Sequence, residues 1–206
     1  MKIIDQNRYQ EVISKYDRSI SDEPAVFVSD YASYNEGAIC GAWFLLDDFT
    51  SLDEFNEKIS EFFKELDKVA PLDFHTPREE IMFQDWQSIP DFLIGESFIH
   101  DGIFTWVNFI SESSDNADLF QAYLDIIGEP NDIDDFISDI QDKFLVNLAD
   151  IEYHGSDEEK FGLYFAEDLG GIEIPENIAF YFDYEAFGQD LLINDYCSSD
   201  GFIFTC

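Results

Sequence analysis

Apolar residues recur along this chain in two rhythms. Leu52, Phe55, Ile59, Phe62, Phe63, Leu66 and Val69 lie three and four residues apart, the spacing that lays one apolar face along a helix. Ser51-Leu52-Asp53-Glu54 ahead of them is a capping-box pattern, in which serine and glutamate satisfy free N–H groups at a helix start. Pro71 and Pro77 end the helix this predicts. A second stripe, Ile133, Phe136, Ile137, Ile140, Phe144 and Leu148, predicts another helix with Asn131 as its N-cap. The stretch 88–130 reads as short helices. Pro90 and Gly95 punctuate the first, Ile103, Trp106, Val107 and Ile110 face the second, and Leu119, Tyr123, Leu124 and Ile127 the third. A helix over 157–169 stops at Gly170-Gly171, and Pro175 starts a short one through Phe182.

Short apolar runs bounded by turn residues predict strands. These are 25–28, a mostly buried run over 39–46, 79–86, Leu191-Leu192-Ile193, and Phe202-Ile203-Phe204 beyond the Ser198-Ser199-Asp200-Gly201 turn. The last two could pair as a hairpin. Residues 31–37 read as a loop, because Asn35 and Gly37 tolerate positive φ. The reading is an α+β protein. It has a short amphipathic extension at 1–24, an α/β module at 25–87, a helical middle module at 88–130 and an α+β module at 131–206.

Charge changes the picture. The 206 residues carry 46 Asp+Glu against 10 Lys+Arg, a formal net charge of −36, yet include 22 Phe, 10 Tyr and 3 Trp. Disordered acidic tails lack such apolar material, so this is a folded protein bearing a load that repels itself. The load is uneven. Residues 79–206 hold thirty acids with only Lys143 and Lys160 as counter-charge. A device for solubility alone would be spread along the chain. At one charge per ~1.7 Å of duplex axis, thirty-six charges equal those of roughly 60 Å of DNA. The field itself is therefore a candidate function, standing in for a polyanion and directed at basic partners. It argues against direct binding to nucleic acid or to an anionic membrane. A halophile-type acidic protein is the plainer alternative.

Other chemistry is sparse. No apolar run is long enough for a membrane span, and the polar start lacks a signal-peptide core, so a cytoplasmic protein is expected. Cys40, Cys197 and Cys206 show no metal-ligand spacing; Cys40 reads as a packed small side chain. His75, His100 and His154 lie far apart and read as ordinary surface or loop histidines. Asp132, Asp134 and Asp135 approach a calcium-loop pattern, but Phe136 and Ile137 occupy the next ligand and glycine positions. No poised acid/base pair stands out among so many carboxylates, and no cofactor motif is present. A non-enzymatic protein is expected.

Tyr31-Ala32-Ser33-Tyr34-Asn35-Glu36-Gly37-Ala38-Ile39-Cys40-Gly41-Ala42-Trp43 resembles the amino-terminal signature of the ArdA antirestriction proteins. The run 79–86 is similar to that family's end-of-first-domain strand. Residues 175–191 are similar to its Asp-Tyr-x-Ala-(Tyr/Phe)-Gly-x-Asp-Leu block, and Gly201-Phe202-Ile203-Phe204 to its closing strand. The resemblance covers roughly 25–206. Residues 1–24 have no counterpart, and the middle module aligns poorly.

The resemblance implies a DNA mimic carried by mobile genetic elements and phages. Such proteins are elongated, three-domain, mostly dimeric molecules that occupy the DNA-binding groove of type I restriction–modification enzymes. The family's dimer contact lies in the carboxy-terminal domain, and the loose counterpart of its antirestriction motif is 151–168. The expected phosphate-mimicking acids are Glu112, Asp115, Asp118, Asp125, Glu129, Asp132, Asp134, Asp135, Asp139, Asp142, Asp150, Glu152, Asp157, Glu158, Glu159, Glu167 and Asp168. Three other readings stay open: a mimic aimed at another basic DNA-binding protein (a defence nuclease, nucleoid protein or repressor), a chaperone-like binder of a basic protein, and an acid/base hydrolase.

Overall fold

A computed structural model describes residues 3, 5–19, 21–73 and 77–206; His75 lies outside them. The architecture is α+β, built from helices and small antiparallel sheets of three, two and three strands. The chain divides into two compact units, Met1–Ser111 and Glu112–Cys206.

The first unit is a three-stranded sheet ordered β2-β1-β3, from β1 (Ala25–Asp30), β2 (Ala42–Leu45) and β3 (Ile81–Gln87). The helix predicted from the 52–69 stripe is α3, Leu52–Val69. Every stripe position except Leu52 is buried, and Phe55 and Phe62 of the stripe pack ring to ring on Phe44, and Phe55 on Phe49. Ser51 caps α3 through the Glu54 N–H at 3.2 Å, while the Glu54 carboxylate reaches one residue further back than a capping box requires, to the Thr50 N–H and hydroxyl, both 2.8 Å. Those two donors hold the Glu54 carboxyl below its ordinary range.

α1 (Gln6–Tyr16) precedes the sheet and lies on α3, with Tyr16 3% exposed and its ring 5.1 Å from that of Phe62. One buried cation ties the unit together. Arg78 pairs with Asp30 at 3.0 Å and with Asp67, and also donates to the Ala70 carbonyl at 2.8 Å; the Arg78 and Asp30 side chains are fully buried. Two further helices begin beyond: α4 (Ile103–Glu112), and in the second unit α5 (Asn116–Ile127).

The second unit continues with α6 (Ile133–Lys143), β6 (Phe144–Asn147), α7 (Asp157–Glu167), α8 (Glu176–Ala179), α9 (Tyr184–Asn194), β7 (Tyr196–Ser199) and β8 (Phe202–Thr205). Its sheet is ordered β6-β8-β7. Tyr123 bridges Phe136 of α6 and Phe204 of β8 at ring separations of 5.0 and 5.1 Å. Leu148, Phe161 and Ile203 form a second small core. Gly170, at φ +63°, turns the chain out of α7, and the Gly171 N–H reaches back to the Phe165 carbonyl at 3.0 Å, as the diglycine predicts.

Several elements differ from the sequence reading. Residues 31–35 are a short helix, α2 (Tyr31–Asn35), not a loop, because the buried Asp30 carboxylate accepts from the Ser33 N–H and hydroxyl at 2.7 and 2.6 Å; Gly37, at φ +78°, then ends it. The strand expected over 39–46 is confined to Ala42–Leu45. The first of the short helices expected in the middle stretch is instead a hairpin of β4 (Ile94–Gly95) and β5 (Phe98–Ile99), where the Leu93 N–H closes a turn on the Pro90 carbonyl. The N-cap of α6 is Asp132, not Asn131. Phe144 and Leu148 leave the helical stripe because β8 offers a ladder to residues 144–147. The helix begun at Pro175 is α8 alone, and Leu191-Leu192-Ile193 belong to α9 rather than to a strand. The hairpin partner of β8 is therefore β7, joined through Asp200 and Gly201, both at positive φ.

Candidate functional site

All seventeen carboxylates expected to mimic phosphates fall in the second unit. Fifteen are exposed, and Glu158 and Glu159 are half-buried. Their placement follows from the amphipathic pattern. On α6, Ile133, Phe136, Ile137 and Ile140 are buried, which turns Asp134, Asp135, Asp139 and Asp142 to solvent. On α5, burial of Leu119, Phe120, Ala122 and Tyr123 does the same for Asp118 and Asp125.

The acids divide by what their oxygens already do. Asp132 accepts from the Asp135 N–H at 3.0 Å as the α6 cap. Asp139 pairs with Lys143 at 3.1 Å. Asp115 accepts from Ser114 and Asp125 from Gln121, at 3.0 and 2.8 Å. Glu159 takes the Tyr153 hydroxyl at 2.8 Å, which pushes that phenol upward. Glu167 takes the Tyr184 hydroxyl at 3.4 Å; Tyr184 is raised first by desolvation and then by this carboxylate. The other eleven, Glu112, Asp118, Glu129, Asp134, Asp135, Asp142, Asp150, Glu152, Asp157, Glu158 and Asp168, have no side-chain partner among the described residues. Their charge is left to whatever approaches.

Counter-charge is tethered. Lys143 donates to the Tyr123 hydroxyl and to Asp139, both at 3.1 Å, and these two bonds raise its ammonium above the ordinary value. Lys160 donates to the Leu148 carbonyl at 3.3 Å. Over 112–206 these two lysines face 24 acids, net −22, against 22 acids and eight bases, net −14, over 1–111.

One helix does not reach the charge density of DNA. Asp135, Asp139 and Asp142 share a face across seven residues, or about 10 Å at a rise of ~1.5 Å per residue. The same length of duplex carries about three phosphates on each strand, while Lys143 cancels one of the three carboxylates. Several elements therefore have to contribute, and the uncommitted acids do come from α4 through α7 and the turns between them.

The contact between α7 and α9 carries no signal in the sequence. At Gly162 on α7 and Gly188 on α9 the two backbones meet directly: a Cβ on Gly162 would overlap the Tyr184 carbonyl, and one on Gly188 the Glu158 carbonyl. Gly188 lies in the block quoted above for its family resemblance, but its opposite number is 26 residues away, so spacing alone gives no signal.

Other chemistry does not gather. Among the described residues no group of three His, Cys, Asp or Glu side chains is arranged to hold a metal ion, and no helix is long and apolar enough to cross a membrane. His100 accepts the Gly102 N–H at 3.0 Å within its turn, His154 lies exposed in a loop, and Cys40 is buried beside the Tyr9 hydroxyl at 3.5 Å. A cavity of about 470 Å³ between the turn after β6 and the β7–β8 hairpin is lined by Lys160, Asp157 and Asp200 with serines and aliphatic side chains.

No curated protein matches the chain at a significant level. The model of one protein family does match, over residues 26–204, and its description is antirestriction protein (ArdA). That span reaches across parts of both units and takes in all seventeen of the acids above, and the chain belongs to the ArdA family of antirestriction proteins.

Proposed function

We infer that this protein blocks type I restriction–modification enzymes by occupying, without catalysis, the groove that otherwise holds their DNA. The observation that carries the reading is the set of eleven exposed or half-buried carboxylates with no side-chain partner among the described residues, in a unit whose two lysines are both engaged. A groove lined with Lys and Arg gains the same ion pairs from these acids as from phosphates. It also releases counterions as DNA binding does, and it need not bend its ligand. The chain acts as a homodimer joined through its carboxy-terminal unit. Support for this is the concentration there of exposed large apolar side chains, among them Phe180, Tyr181, Ile178 and Ile193.

The test is a competition titration. A type I methyltransferase core on labelled target duplex is challenged with the protein at several salt concentrations. Displacement near one dimer per enzyme, weakening as salt rises, is expected. No displacement by folded protein overturns the reading and moves the acidic surface to another basic partner. Because the charge is distributed, Asp135→Asn or Glu158→Gln alone changes inhibition little. Complete loss from either, with folding intact, argues against a distributed mimic.

A further inference from the structure

The outer edge of β2 is a strand-pairing surface, and it is occupied. β2 reads Ala-Trp-Phe-Leu, without a charge, and forms one edge of its sheet. Uncharged apolar edges recruit strands from other chains unless something covers them. Here the Trp43 N–H donates to the Asp17 carboxylate at 2.8 Å, and the Trp43 carbonyl accepts from the Arg18 N–H at 3.0 Å. These two bonds fill the position of a fourth strand. On the opposite edge the Phe83 N–H of β3 is engaged by the Glu96 carbonyl at 2.9 Å.

The residues that cover β2 are held from three sides. Tyr16 is sunk against Phe62 and Phe44, at ring separations of 5.1 and 6.3 Å, Lys15 pairs with Glu65 at 2.6 Å, and Arg18 pairs with Asp48 at 2.7 Å. At the far end Asp5 caps α1 through the Asn7 and Arg8 N–H groups. The whole segment precedes residue 26, where the family match begins.

We propose that residues 5–18 are a clasp that closes the β2 edge against pairing with a second copy of this chain. The apolar edge supplies the surface, Asp17 and Arg18 supply the intramolecular occupant, and α1 with Tyr16 is the anchor that keeps the occupant in place. This role is independent of the acidic surface. Asp17 is exposed and makes its bond from a side chain, so its loss opens the edge without removing any core group.

The full-length Asp17→Ala and Tyr16→Ala/Asp17→Ala variants test the clasp by two measurements. In hydrogen exchange, the Trp43 amide is expected to exchange at least ~10-fold faster in Asp17→Ala than in the wild type, reporting local opening. In light scattering, the double variant is expected to exceed the wild-type mass increasingly with concentration, and an added peptide of residues 5–19 to reverse the excess. An unchanged Trp43 amide in Asp17→Ala overturns the proposal. So does a double variant that keeps the wild-type mass at every concentration. Because both readings are taken against the wild type, a dimer formed through the other unit does not imitate the result, and failure of the clasp leaves the competition titration untouched.

Discussion

The two units share a plan, three antiparallel strands with helices, and use it for opposite ends. The first unit buries. Among the described residues it holds 27 of the buried apolar residues against 14 in the second, and three of the exposed large hydrophobics against eight. It also spends its cations internally, with Arg78 in the core and Lys15, Arg18 and Lys58 in surface pairs. The second unit keeps little inside and turns both its carboxylates and its spare aromatics outward. Both halves pack aromatic rings in their cores, as Phe44 on Phe55 and Phe62 in one and Tyr123 on Phe136 and Phe204 in the other. The difference teaches that acidity is no uniform property of this chain but is concentrated where the core is thinnest.

The comparison can be broken most directly by charge. Converting the eleven uncommitted acids to their amides is expected to abolish inhibition in the competition assay while leaving the circular dichroism spectrum folded, because the change relieves self-repulsion. Amidating an equal number of exposed acids within 25–111 leaves inhibition standing; equal loss from both sets would erase the distinction.

Arg78→Met sharpens the comparison from the side of the first unit. Removing one member of a buried pair strands the other, a loss of about 3–5 kcal/mol, so the melting of 1–111 should fall while that of 112–206 holds. Gly188→Ala does the converse. Its methyl group must displace the Glu158 backbone, at a cost of about 1–3 kcal/mol for such overpacking, read as a lower melting point of the second unit with weaker inhibition.

The smallest effect concerns Glu54. Its carboxyl is depressed in the folded state by the Thr50 donors. Its contribution is therefore fully present above the unfolded value of about 4.3 and disappears as the pH falls through the lower folded value. Glu54→Gln should lower the melting point slightly at neutral pH and leave it unchanged in strong acid.

Much of this was legible in the chain. The α3 stripe with its Ser51 cap, and the diglycine that stops α7, placed those helices to within a few residues, since a face and a cap are local facts. Short apolar runs were ambiguous for a physical reason: Leu191-Leu192-Ile193 and Phe144 fit either period, and only the partner settles it, α7 in one case and β8 in the other. The acids themselves were readable as a surface because α6 alternates them with Ile133, Phe136, Ile137 and Ile140. Which acids are tied down was readable only in part: Asp139 meets Lys143 one helical turn on, a local pair, whereas Tyr184 reaches Glu167 across 17 residues. The clasp was equally hidden, because Asp17 meets Trp43 across 26 residues.

The contact between Gly162 and Gly188 has a consequence for the lifetime of a complex. With no side chain between them, α7 and α9 have little room to slide, so the backbone that carries the carboxylates at the start of α7 is set before any partner arrives. A ligand whose charges are already ordered surrenders little motional freedom on docking. Most of what its ion pairs yield then remains to oppose escape, and the benefit is expected in slow dissociation more than in fast capture.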